Sequence, residues 1–267
     1  MNVGALGIGP RLAGFLTQWR MQPPTLPYLL FAALGAVALI GVAAAPETGA
    51  PAPRATTEGR PAGSPRAVRL PVPVAAATIA AFSATGLFAG LSGLFLATTL
   101  HRPSQELSGA ALFLVFSARA ASQLATTRLR ASRVLALGMT SLTAGLVLLV
   151  VAVRLPATSL VLFLICGALI GAGAGAVYKG TTGLVLEATE PENRVAMTSA
   201  LVIAVFGGLS VPVTGAGVAL TQGASPPDAV LGFAILVALG ISVSGWTILG
   251  RRSTGPQQAA DLPDIHA

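Results

Sequence analysis

Long apolar runs separated by short polar stretches dominate this chain. Seven runs are almost free of charge: 28–45, 73–98, 109–125, 134–153, 157–178, 196–220 and 229–250. An eighth, 1–16, is apolar but short and broken by Pro10-Arg11. A helix needs roughly 20 apolar residues to cross the ~30 Å hydrocarbon core of a bilayer, and the seven runs are of that length. A soluble protein of this length could bury a large core but would need charge on the outer faces of its helices, and these runs have almost none. The pattern predicts an all-α, multi-pass transmembrane helix bundle of about seven spans. The loops after residue 98 are short, so neighbouring helices run antiparallel.

The polar breaks carry the charge, and they carry it unevenly. The segments 46–72, 126–133 and 179–195, with the tail 251–267, fall on one side when the spans alternate. That side holds Arg54, Arg60, Arg66, Arg69, Arg128, Arg130, Arg133, Lys179, Arg194, Arg251 and Arg252. The other side holds Arg20, Arg102 and Arg154. Such a bias marks the basic side as cytoplasmic. The expected location is the cell membrane, with the linker and C-terminus in the cytoplasm. The expected organisation is a remnant of an N-terminal half at 1–45, a cytoplasmic linker at 46–72, a six-helix bundle at 73–250 and a cytoplasmic tail at 251–267. The linker is rich in Pro, Gly, Ala and Arg, a composition that stays extended.

Composition sharpens the class. Hydrophobic residues make up 54% and charged residues 9%, against about 25% charged in soluble domains, and the mean hydropathy is +0.79. The net charge of +7 lies in membrane-flanking loops and is not interleaved with aromatics, so nucleic acid is not expected as a partner. Cys166 is alone, and His101 and His266 are far apart; no metal site or disulfide framework is expected. Residues 1–16 lack the basic start of a signal peptide. No Ser-His-Asp set or paired carboxylates suggest an enzyme, and Gly171–Gly175 lies inside an apolar run without a following Lys-Ser/Thr, so it is not a phosphate loop. No cofactor is expected.

Small residues punctuate the runs. Gly167, Gly171 and Gly175 are spaced by four, as are Gly86 and Gly90. In lipid this spacing lets helix backbones approach closely. It serves either packing or a sliding surface between moving helices. Gly207, Gly208 and Pro212 are expected to interrupt the run 196–220.

Four local segments, taken with this order of helices and linker, resemble the major facilitator superfamily of transporters from the fifth helix to the end. Gly9-Pro10-Arg11-Leu12-Ala13-Gly14 resembles the close of the fifth-helix motif of the family's proton-coupled exporters, with Ala13 for one glycine. Pro46-Glu47-Thr48 resembles the end of the sixth helix. The stretch 122–133, with Arg128, Arg130 and Arg133, resembles the basic loop between the eighth and ninth helices, although its leading Gly and its Asp are absent. Glu190-Pro191-Glu192-Asn193-Arg194 fits the loop before the eleventh helix. The resemblance implies a secondary active transporter, an exporter of small amphipathic compounds, that is incomplete in this chain. It implies a lipid bilayer, a small-molecule substrate and a missing N-terminal half or second subunit as partners. The alternative is a non-transporting membrane remnant or helix-bundle partner subunit.

Ionisable residues within spans are costly in lipid and are functional candidates. Here they are Arg11 and Arg119. Arg119 lies about two turns from the basic end of its run, and it either snorkels to the headgroups or faces a cavity and pairs with an anionic group. No carboxylate falls inside a run; Glu47, Glu58, Glu106, Glu187, Glu190, Glu192, Asp228, Asp261 and Asp264 are all expected in loops or the tail. The resemblance further implies a cavity lined by 73–98 and 157–178, whose polar and aromatic positions are Thr78, Phe82, Ser83, Thr85, Phe88, Ser92, Ser159, Phe163 and Tyr178. Arg119, Phe82, Ser83, Ser92 and Phe163 are the pathway candidates. Gly9, Pro10, Gly14, Arg128, Arg130 and Arg133 are the motif-like positions.

Overall fold

A computed structural model describes residues 3–18, 25–45, 69–98, 104–155 and 159–250. Apolar runs with no competing strand pattern fold as helices, and no strand occurs among the described residues. The helices are α1 (Val3–Gln18), α2 (Thr25–Ala44), α3 (Val72–Thr98), α4 (Gln105–Ala125), α5 (Ala131–Arg154), α6 (Leu160–Ala188), α7 (Arg194–Thr221) and α8 (Pro226–Gly250), with a 3-10 turn at Pro191–Asn193 before α7. Five helical segments among the described residues are long and apolar enough to cross a membrane: Val72–Ala97, Gln105–Ala125, Ala131–Arg154, Leu160–Ala188 and Pro191–Thr221. Tyr28–Ala44 and Val230–Ser242 are shorter apolar helical stretches. The protein is a multi-pass helical bundle built for a membrane. Of the linker, residues 46–68 lie outside the described residues, as do Pro46-Glu47-Thr48, His101 and the tail from 251 onward.

Local chemistry sets the helix starts. The Ser104 hydroxyl accepts a hydrogen bond from the Leu107 amide at 3.2 Å and opens α4. Ser159 does the same for α6 through the Leu162 amide at 3.1 Å. Each supplies an acceptor to an amide that has no partner within its helix.

Helix α6 lies at the centre, against α3, α4 and α5, while α3 also packs on α7 and α8. Its core includes Leu87 and Leu96 of α3, Leu135 and Leu142 of α5, and Ile170 of α6, all at most 1% exposed. The contact between α5 and α6 is a reciprocal close approach. A Cβ on Gly138 would sit 2.6 Å from the Val177 amide nitrogen, and one on Gly173 would sit 2.6 Å from that of Leu142. Glycine on both helices brings the backbones together where dispersion contacts replace the hydrophobic effect that lipid cannot supply. Helices α1 and α4 cross in the same way, at Gly14 over the Gln105 carbonyl and at Gly109 under the Pro10 carbonyl. Helix α2 touches only α1 among the described residues and exposes its apolar side chains.

Three expectations need correction. Glu106, Glu187 and Asp228, expected in loops, lie within α4, α6 and α8, close to the helix ends. The segment 179–195 is not a loop from its start, because α6 runs on to Ala188 and carries Lys179 within it. Residues 180–186 remain mostly apolar, and the Lys179 ammonium finds its own acceptors, so the charge does not end the helix. Nor do Gly207, Gly208 and Pro212 interrupt the run 196–220. They lie inside the continuous α7. Gly208 instead admits the Ile79 carbonyl of α3, 2.6 Å from where its Cβ would be.

Candidate functional site

Arg119 lies on α4 six residues before its last residue, about 9 Å along the axis. Its side chain does not snorkel outward. The residue is 6% exposed, and its guanidinium carbon stands 4.1 Å from the centroid of Phe82 and 5.6 Å from that of Tyr178. The two rings meet edge to face, 5.6 Å apart at 79°. Three helices build this corner: α3 supplies Phe82, α4 supplies Arg119 and α6 supplies Tyr178. A guanidinium over aromatic faces gains cation–π attraction, and more so away from water.

Glycines of α6 make the corner possible. Gly171 lies against the Val115 carbonyl of α4, and a Cβ on Gly175 would stand 2.5 Å from both the Arg119 carbonyl oxygen and the Ser122 hydroxyl. This pair of the Gly167, Gly171, Gly175 series brings α4 onto α6. Gly167 accommodates the ring of Phe88 on α3 instead, 2.6 Å from where its Cβ would be.

Buried polar atoms without partners occur on α4 and α6 in this part of the sequence. The Arg119 Nε has no hydrogen-bond partner, nor has Gln123 Nε2 one helical turn further along α4. Gln123 is also 6% exposed. Thr182 Oγ1, a turn beyond Tyr178 on α6, is buried without a partner as well. Lys179 donates from Nζ to the Gln123 carbonyl at 2.6 Å and to Thr126 Oγ1 at 3.4 Å. It thereby places a cation on the carbonyl end of α4, where the helix dipole favours one. No carboxylate among the described residues pairs with Arg119.

The other candidates lie apart from this corner or are occupied. Phe163 stacks on Phe88 at 4.6 Å and on Phe95 at 4.8 Å, a ring column separate from the Arg119 pair. Ser92 donates to the Ala89 carbonyl of its own helix at 3.0 Å, and Thr85 to that of Ala81 at 3.1 Å. Thr78 bonds its own helix at Val74 and reaches Thr181 of α6 at 3.4 Å. These are back-bonded hydroxyls, as polar residues in apolar helices tend to be. Ser159 serves as the α6 cap. Ser83 Oγ is buried without a partner.

Among the motif-like positions, Pro10 and Gly14 form the α1–α4 crossing, and Gly9 is 4.0 Å from the Phe31 ring of α2, measured from the position of its Cβ. Arg11 is exposed, with its guanidinium 5.4 Å from the Phe113 centroid. Arg128, Arg130 and Arg133 are exposed around the turn between α4 and α5. Gln123 and Thr182 were given no role from the sequence, and Lys179 only that of a loop charge, although Gln123 lies four residues after Arg119 and on its helix face. No group of three or more metal-ligating side chains occurs among the described residues. No protein-family model, curated protein or solved structure matches the chain, so the corner at Arg119 stands on its own geometry.

Proposed function

We propose that the protein works as a secondary active transporter of the major facilitator type, moving small amphipathic compounds outward across the cell membrane. The observation that carries the reading is the buried Arg119, a cation inside an apolar bundle, seated on two aromatic rings and lacking an acidic partner among the described residues. A permanently charged side chain is disfavoured in a membrane helix by about 2.5–3.5 kcal/mol, and the cost is understandable where the charge meets a solute. The aromatic faces suit the apolar part of such a solute. The order of helices and the segments 9–14 and 122–133 add the resemblance to exporters. The basic bias of the loops supports a cytoplasmic linker and tail.

A second reading, a partner subunit for another helical unit, draws on α7. That helix exposes Ser199, Ser210, Thr214, Gly215 and Gly217, and no atom of another side chain or helix lies within 4 Å of a Cβ placed on Gly215 or Gly217. Small and hydroxylated residues are what a neighbouring membrane helix packs against. The test is flux. The purified full chain in liposomes is expected to give saturable exchange of labelled amphipathic solutes, lost in Arg119→Ala with insertion unchanged. No flux above empty liposomes would favour the partner-subunit reading, and near-normal flux in Arg119→Ala would remove the arginine from the pathway.

A further inference from the structure

We infer that Arg119 and Gln123 seat the carboxylate of a small organic acid with a flat apolar body, which narrows the substrate class of the transport reading above and rests on it. The guanidinium carbon lies over the Phe82 ring, 4.1 Å from its centroid. A guanidinium carries its N–H donors in a planar fork, which a carboxylate can meet with two oxygens. One of those donors, Nε, is buried and unpaired, and so is the amide nitrogen of Gln123 a turn away. Both residues are more than nine-tenths buried. Buried donors in this state cost free energy until they meet an acceptor.

No side chain among the described residues fills that role. Glu106 lies thirteen residues earlier on α4, about 20 Å along the axis. Glu187 lies two turns beyond Lys179, and it is exposed near the end of α6. The local field is positive twice over, because Lys179 Nζ sits on the Gln123 carbonyl at 2.6 Å. A cationic solute is therefore repelled, and a neutral one leaves the charge unmet. An anion satisfies both donors and the field. Phe82 and Tyr178 give its apolar body an aromatic wall.

The test compares 1-naphthoate with its uncharged isostere 1-naphthamide, by equilibrium binding of the labelled probes to the detergent-purified full chain. Naphthoate is expected to bind at least about tenfold more tightly than the amide, since a charge-assisted hydrogen bond contributes on that scale. Arg119→Gln and Gln123→Leu are each expected to weaken naphthoate about tenfold or more while leaving the amide unchanged. Arg154→Gln, an exposed arginine paired with Asp228 at 3.4 Å, is expected to change neither. Gln123→Leu keeps the arginine, so it tests the seat even if Arg119→Gln fails to fold. Equal binding of acid and amide, no binding of either, or naphthoate binding untouched by Gln123→Leu would overturn the inference. Naphthoate binding that requires Arg119 and Gln123, without flux in liposomes, would uphold the anion seat and count against transport.

Discussion

Replacing Gly175 by alanine adds one methyl at the point where α6 meets α4, and its effect can be worked from the geometry. The new carbon would stand 2.5 Å from the Arg119 carbonyl oxygen, 2.5 Å from Ser122 Oγ and 2.9 Å from Arg119 Cγ. Van der Waals contact needs roughly 1 Å more. The Ser122 hydroxyl donates to the same Arg119 carbonyl at 2.9 Å, so the obstacle is backbone held in place and not the free end of a side chain. Overpacking of this kind costs about 1–3 kcal/mol, and the gain in helix propensity from Gly to Ala returns at most about 1 kcal/mol. We place the net effect at a loss of about 1–2 kcal/mol, or roughly 2–8 °C in Tm. Gly207→Ala is the matched control, because nothing lies within 4 Å of its Cβ position, and it is expected to be neutral or to raise Tm by a few degrees. The assay is built into the chain. Cys166 is the single cysteine and is fully buried, so a maleimide that fluoresces on reaction reports unfolding as the thiol emerges. Gly175→Ala melting at or above the parent temperature, with Gly207→Ala melting below it, would refute the packing argument.

Other expectations follow from single contacts. Lys179→Met removes a charged donor from the end of α4 and is expected to lower Tm by several degrees, since hydrogen bonds to charged groups contribute about 1.5–3 kcal/mol; an unchanged melt would show that the contact carries no stability. For topology, cysteines replacing Gly59 and Gln105 in a Cys166→Ala background are expected to react with an impermeant maleimide only at 105 in intact cells, and labelling of 59 from outside would reverse the orientation. Arg119→Leu is expected to hold or raise Tm, because a buried unpaired charge becomes apolar volume, while abolishing any flux; a large fall in Tm would instead make the arginine a structural strut.

The helical bundle was legible because apolar run length is a direct physical requirement of the bilayer. The run 134–153 lies inside α5, Ala131–Arg154, and the run 196–220 inside α7, Arg194–Thr221. The end of α6 was missed by ten residues, and the reason is specific. A lysine after an apolar run reads as a loop, but Lys179 takes the Gln123 carbonyl and Thr126 hydroxyl of another helix as acceptors. Those partners are 56 and 53 positions away in the chain, and no local pattern contains them. The glycine series was legible as a packing device, but its partners were not. Gly138 and Gly145, seven apart on α5, admit Val177 and Ile170 of α6, and that reciprocity appears only once two helices are placed side by side.

Arg119 shows where the sequence reading stops for a physical reason. An arginine two turns from a span's end has two affordable positions, out to the headgroups or in against partners, and its own neighbours do not decide between them. The choice depends on what the facing helices present. Phe82 lies 37 positions before it and Tyr178 lies 59 after it, and they meet each other as well as the guanidinium. Gly171 and Gly175 then bring α4 close enough to α6 for the side chain to stay inside. Leucines at those two positions would not fit against the Val115 and Arg119 carbonyls, so the close approach of α4 and α6 depends on the glycines. The location of the charge is thus set by small residues on another helix, and so is whatever that charge does.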